Sequence, residues 1–96
     1  DEALSRVVID LSGRGYLVYQ AMLPVEKIGD FETETLKEFL QALAVNAGMN
    51  LHIQVEYGDN GHHMVEAIFK GLGRALYQAS RIDPGIDGCL STKGIL

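Results

Sequence analysis

The 96-residue chain has one cysteine, two prolines and no tryptophan. A lone thiol, Cys89, excludes an intrachain disulfide and any Cys-x-x-Cys metal or redox motif. It is read as a buried or incidental thiol rather than a nucleophile. Positive charge is also scarce: 8 Lys and Arg against 13 Asp and Glu leave a formal charge of -5. No basic run with interleaved aromatics occurs, so nucleic acid is not an expected partner. Apolar runs are short and broken by charge, and the acidic start lacks the basic and apolar regions of a secretory signal. The expectation is a soluble, cytoplasmic protein with no membrane association. The first residue is Asp1 rather than Met, as expected of a processed, truncated or excised piece. Apolar content, in contrast, is ample: 47% of residues are hydrophobic. That is enough for one compact domain spanning 1–96, because independent folding becomes common above roughly 55 to 65 residues.

Periodicity divides the chain into five elements. The β-branched run from Ala3 to Asp10 and the segment Tyr16 to Leu23 read as two strands, and Ser12-Gly13-Arg14-Gly15 supplies turn residues for a hairpin between them. Pro24 to Asp30 reads as a connector. A helix opens at Thr33 or Glu34, carries Leu36, Phe39, Leu40, Leu43 and Ala44 on one face, and closes at Ala47-Gly48. Leu51 to Tyr57 alternates, which predicts a strand with Leu51, Ile53, Val55 and Tyr57 inward and His52 outward. Gly58 to Gly61 is a loop, and a long helix follows with apolar positions at Ile68, Leu72, Ala75, Leu76 and Ala79. From Ile82 to Leu96 the Gly/Pro/Asp-rich tail is expected to be irregular. The order β-β-α-β-α predicts an α+β fold, a sheet with helices packed on one face.

Chemistry concentrates in Asn60-Gly61-His62-His63-Met64-Val65-Glu66-Ala67-Ile68-Phe69-Lys70, at the start of the second helix. Residues three and four apart share a helix face, so Glu66 lies beneath His62 and His63, and Lys70 continues the stripe. Adjacent His62 and His63 diverge by about 100°, from 3.6 residues per turn. Such a helix can offer an imidazole and a carboxylate to one divalent metal and the other imidazole to a second; this donor set suits Mn, Fe, Co, Ni or Zn. A helix start capped by Asn60, with histidines half-exposed at the surface, explains the same residues without a metal. The zinc-protease pattern His-Glu-x-x-His is not present.

These residues, with Asp1-Glu2-Ala3-Leu4, Asp10-Leu11-Ser12-Gly13-Arg14, Gly29-Asp30, Glu38-Phe39, Leu51-His52, Arg74-Ala75-Leu76 and Ser91-Thr92-Lys93-Gly94, occur in an order and spacing that resemble the C-terminal half of the imidazoleglycerol-phosphate dehydratase family. The resemblance covers the whole chain. It implies one half of a tandem repeat whose halves are similar to the ribosomal protein S5 domain 2-like fold. Each half of that family contributes a His-His-x-x-Glu helix to a pair of manganese ions. The implied activity is dehydration of D-erythro-imidazole-glycerol phosphate to imidazole-acetol phosphate in histidine biosynthesis.

Carried over by position, the resemblance makes His62 a ligand of one Mn²⁺ and His63 with Glu66 ligands of the other, with Glu38 as a further ligand from the preceding helix. Arg14, Lys70, Ser91, Thr92 and Lys93 match the part that holds the substrate phosphate; guanidinium, ammonium and hydroxyl groups can surround a dianion. Read without the resemblance, these are a turn residue, solvated lysines and loop hydroxyls, and Glu38 is a solvated helix residue. Glu66 is a candidate acid or base only where metal does not saturate it, and the general base otherwise belongs to the other half. His52 receives no role beyond the sheet face. Two departures, Gly15 in place of the family's usual proline and Cys89-Leu90 before the Ser-Thr-Lys-Gly motif, are expected to loosen the phosphate-holding segments. The implied partners are the N-terminal half of the same enzyme or a second copy of this chain, within a large homo-oligomeric shell of trimers, and a phosphorylated imidazole substrate. The rival reading is a non-catalytic metal-binding or assembly module.

Overall fold

The computed structural model describes residues 1–90 and 92–93. Strands β1 (Leu4–Asp10), β2 (Tyr16–Gln20), β3 (Lys27–Ile28) and β4 (Phe31–Glu32) precede helix α1 (Glu34–Ala47), strand β5 (Asn50–Tyr57) and helix α2 (Gly61–Ser80). The main sheet has the order β1-β5-β2, with β1 antiparallel and β2 parallel to β5. Both helices cover one face of it, giving the α+β half-unit read from the sequence. No described helix is long and apolar enough to cross a membrane.

The expected β1–β2 hairpin does not form, because β5 lies between the two strands. The turn residues between them serve another purpose. The Gly13 amide donates to the Gly48 carbonyl at 2.8 Å and the Tyr16 amide to Met49 at 3.1 Å, so this connector binds the turn from α1 into β5. β5 takes the centre because it carries the most deeply buried strand residues, Leu51 at 0% and Ile53 at 1% exposure. The parallel β2–β5 pairing then needs a crossover, which α1 supplies. The segment read as a plain connector, Pro24 to Asp30, contains β3, which pairs antiparallel with β4 just beyond it. Thr33 Oγ1 holds it by donating to the Val25 carbonyl at 2.8 Å.

Leu36, Leu40 and Ala44 of α1, Met49, Leu51 and Ile53, and Ile68 and Leu72 of α2 form the core, with Val7, Ile9, Leu17 and Tyr19 packed against it. His52 is exposed on the uncovered sheet face, as its alternation predicts. Tyr57, expected inward, is 63% exposed. The register slips between Leu4 and Ser5, where β1 skips Glu56, and a bulge at this edge turns the alternation over.

α1 ends at Gly48, whose φ of 64° is the left-handed conformation a glycine C-cap adopts most easily. Gly15 matters for a different reason. A Cβ there would lie 2.5 Å from Val45 Cα and 2.9 Å from the Ala44 carbonyl oxygen, so the bare backbone lets β2 approach the last turn of α1. The segment expected to be loosened by this glycine is a close-packed contact.

Candidate metal and phosphate site

The helix α2 begins where its caps dictate. Asn60 Oδ1 accepts from the His63 amide at 3.1 Å, satisfying one of the orphan donors of the first turn. Gly61 and Met64 turn inward and are buried. With that face fixed, His62, His63 and Glu66 are left toward solvent, and Lys70 follows one turn later.

His62 Nε2 stands 3.6 Å from Glu66 Oε2, and Glu66 Oε1 accepts from Lys70 Nζ at 2.7 Å. The Lys70 hydrogen bond and charge hold the Glu66 carboxyl below its usual pKa, with smaller contributions from His62 and His63. The His62 and Glu66 side chains are 66% and 46% exposed. Ion pairs this open contribute little to stability, between about 0 and 1 kcal/mol. Folding energy alone does not explain the row.

His63 points differently. Its Nδ1 is 2.6 Å from Glu2 Oε1, while Nε2 is 3.7 Å from Asp1 Oδ2. The two imidazole rings have centroids 6.3 Å apart and planes at 70°, and they contact different carboxylates. Glu2 Oε2 also accepts from the backbone amides of Asp59 and Asn60, each at 2.8 Å. Three charge-assisted contacts bring the Glu2 carboxyl down to about 2, the Asn60 amide first, then His63, then Asp59. Asp1, Ala3, His63, Glu66, Ala67 and Lys70 line an open concavity of about 220 Å³. It brings an imidazole, a carboxylate and an ammonium to one depression.

The remaining predicted residues lie elsewhere. Glu38 is exposed on α1, and among the described residues no three His, Cys, Asp or Glu side chains converge as a metal cage. Glu66, assigned with His63 to one metal, lines the concavity with His63, but the imidazole it pairs with is His62, at 3.6 Å, and its hydrogen bond goes to Lys70. The Arg14 backbone is pinned at the other end of the sheet: its amide donates to Ser12 Oγ at 3.2 Å, and its carbonyl accepts from Asn50 Nδ2 at 3.0 Å. The length of β5 separates Asn50 from the entry to α2, roughly 23 Å at about 3.3 Å per residue. Arg14 therefore does not reach a ligand held by this chain's own α2. Thr92 and Lys93 are exposed in a turn, and Ser91 lies outside the described residues.

The sequence reading assigned no role to Glu2. Its signal was present only as part of the Asp1-Glu2-Ala3-Leu4 match, because nothing local links residue 2 to residue 63. Imidazole and carboxylate on successive turns fit a divalent metal such as manganese, as an incomplete donor set. Among the described residues no third donor joins them in one cluster.

The family model for imidazoleglycerol-phosphate dehydratase matches residues 1–76. The imidazoleglycerol-phosphate dehydratase of Bacillus subtilis is 57% identical over 96 residues, and that of Heliobacterium modesticaldum 59% over 97 residues; each match takes in 100% of this chain. The chain spans about half the length of these curated relatives, 50% in both cases. Among solved structures, the Pyrococcus furiosus imidazoleglycerol-phosphate dehydratase superposes with a TM-score of 0.87 at 40% identity, covering 100% of this chain and 52% of that one. The Staphylococcus aureus enzyme gives 0.77 at 51% identity over 79% of this chain and 44% of its own.

Proposed function

The chain belongs to the imidazoleglycerol-phosphate dehydratase family, and we propose that it is one half of such a hydro-lyase, completed by an N-terminal half or by a second copy of itself. Its reaction would be the dehydration of D-erythro-imidazole-glycerol phosphate to imidazole-acetol phosphate in the cytoplasm, at a site holding two Mn²⁺. The observation that carries this reading is the row His62–Glu66–Lys70 with His63 beside it. His63, Glu66 and Lys70, which this reading takes as metal donors and a phosphate-binding cation, line one concavity, and His62 stands beside Glu66.

The reaction expels hydroxide from the carbon bonded to the imidazole ring and removes a proton from its neighbour, leaving an enol that tautomerises to the ketone of the product. No carbonyl assists either bond cleavage, so the deprotonated imidazole ring must serve as the electron store, pushing hydroxide off the attached carbon and taking back charge when the neighbouring proton leaves. Bound manganese would supply Lewis acidity at the ring nitrogens, stabilising the negative charge. His62, His63, Glu66 and Glu38 are this half's proposed ligands. Lys70 holds Glu66 ionised, which suits a ligand. A proton-carrying role is open to Glu66 only where metal does not saturate it; otherwise the general base belongs to the other half. Arg14, Ser91, Thr92 and Lys93 complete the phosphate set, with Arg14 serving a neighbouring site because of its distance from α2.

Incomplete donor sets within one chain support assembly between halves. The similarity of the halves makes a twofold pair of copies geometrically reasonable, bringing two His-His-x-x-Glu helices together. The same incompleteness supports the rival reading, a metal-binding or assembly module without turnover. Measuring water elimination from imidazole-glycerol phosphate with Mn²⁺ separates them. Activity only when this chain is mixed with a separately made N-terminal half is the expected result. Activity of the chain alone would mean that self-pairing rebuilds the sites, and silence in both would overturn the enzymatic reading.

A further inference from the structure

Glu2 is the most heavily engaged side chain near α2, and the functional reading gives it nothing to do. One of its oxygens, Oε2, accepts from two consecutive backbone amides at 2.8 Å, while Oε1 lies 2.6 Å from His63 Nδ1. An ionised carboxylate has no proton to donate, so the hydrogen in the Glu2–His63 contact belongs to Nδ1. The opposite nitrogen has a weaker call on its own proton, since Asp1 Oδ2 is 3.7 Å from Nε2, beyond hydrogen-bond range. A neutral imidazole carries one hydrogen, and the 2.6 Å contact decides which nitrogen keeps it. Nε2 is left with its lone pair free.

We propose that Glu2 is a positioning residue that holds His63 as the Nδ1–H tautomer and turns the Nε2 lone pair outward, making Nε2 the nitrogen that takes a divalent metal. The inference rests on the reading of α2 as a metal-holding helix. Carboxylates that accept from the far nitrogen of a metal-ligating histidine fix ring orientation and tautomer, and losing one typically weakens metal binding about 10- to 100-fold. Here the same carboxylate also grips the loop that starts α2. Ring orientation and helix entry are thereby set by one group, 61 residues away from His63.

Glu2→Gln is the discriminating variant because it is nearly isosteric. The Asp59 and Asn60 amides can be satisfied only by the Gln carbonyl oxygen, which leaves the Gln amide NH₂ facing His63 Nδ1. Two donors cannot meet, so Nδ1 must become the acceptor and the proton must move to Nε2. The ¹⁵N chemical shifts of the ring, recorded without metal at a pH where the imidazole is neutral and assigned with His63→Gln, report the tautomer directly. The expected result is Nδ1–H in the native chain and Nε2–H in Glu2→Gln, with Mn²⁺ affinity by calorimetry falling about 10- to 100-fold. Glu2→Asp, which keeps the carboxylate, should retain the Nδ1–H signature. An Nε2–H signal in the native chain, or no change in tautomer on Glu2→Gln, would overturn the proposal. If Glu2→Gln does not fold, the native tautomer decides alone. A native chain with the Nδ1–H form and no Mn²⁺ affinity, alone or with the N-terminal half, would instead overturn the metal reading and leave the Glu2–His63 coupling standing.

Discussion

Replacing Gly15 by alanine adds one methyl group where β2 meets the last turn of α1. The new Cβ would lie 2.5 Å from Val45 Cα, 2.9 Å from the Ala44 oxygen and 3.0 Å from the Val45 nitrogen. Carbon atoms in good contact sit about 3.5 to 4.0 Å apart, so α1 must retreat by roughly 1 Å. These neighbours are backbone and have no rotamer to swing away. The retreat would pull on Ala44, which is fully buried, and on the Gly13–Gly48 and Tyr16–Met49 hydrogen bonds. Overpacking of this kind costs about 1 to 3 kcal/mol. Alanine also lowers the entropy of the unfolded chain, an opposing effect of about 0.4 to 1 kcal/mol. Strain is the larger quantity, and a net loss of about 1 to 2 kcal/mol corresponds to a fall in Tm on the order of 10 °C for a chain of this size. The control is Gly73→Ala on the exposed side of α2, where the new methyl meets nothing within 4 Å. There helix propensity should raise stability by about 1 kcal/mol. Thermal unfolding followed by far-UV circular dichroism reads both. A Gly15→Ala protein as stable as the native chain, or one stabilised like Gly73→Ala, would refute the close seating of α1 against β2.

Ile68 is fully buried between the helices and the sheet, so Ile68→Ala should cost about 2 to 5 kcal/mol in denaturant unfolding, and a loss below 1 would mean that α2 is not docked. Asn60→Ala removes the cap on the His63 amide and should cost about 1 kcal/mol, with hydrogen exchange rising first in the opening turn of α2. Burial pushes the Tyr19 phenol up. A raised acid favours the protonated fold, so this contribution is present below the unfolded value of about 10 and is lost as pH rises through the folded one. Stability should therefore fall less steeply above pH of about 10 in Tyr19→Phe than in the native chain; parallel slopes would refute the burial argument. Lys70→Ala should raise the pKa of Glu66, seen in an NMR titration of its carboxyl carbon, because the first cause of its depression is gone.

Patterns of short range were legible in the sequence. Alternation through Leu51 and Ile53 marked β5, Gly48 and Asn60 marked helix ends, and the spacing of His62, His63, Glu66 and Lys70 marked one side of α2. Each depends on periods of two or 3.6 residues, which any reader of the chain can count. The β1–β2 hairpin was misread because turn residues show that the chain bends there but not which strand comes to lie alongside. The Tyr57 reading failed because a bulge at Leu4 and Ser5 resets the alternation of a strand some fifty residues away in sequence.

The sequence by itself determined the five principal elements, the apolar faces that had to be buried, and a helix start carrying imidazole, carboxylate and ammonium groups in a row. Only the tertiary structure decided that β5 would separate β1 from β2, that Gly15 would admit the backbone of α1, that Glu2 would hold His63, and that Arg14 would sit a sheet's length from α2. The physical reason is one of range. Backbone periodicity and capping act within a few residues, whereas strand order, close backbone approach and a hydrogen bond between residues 2 and 63 exist only once the core has closed around Leu51, Ile53 and Ile68.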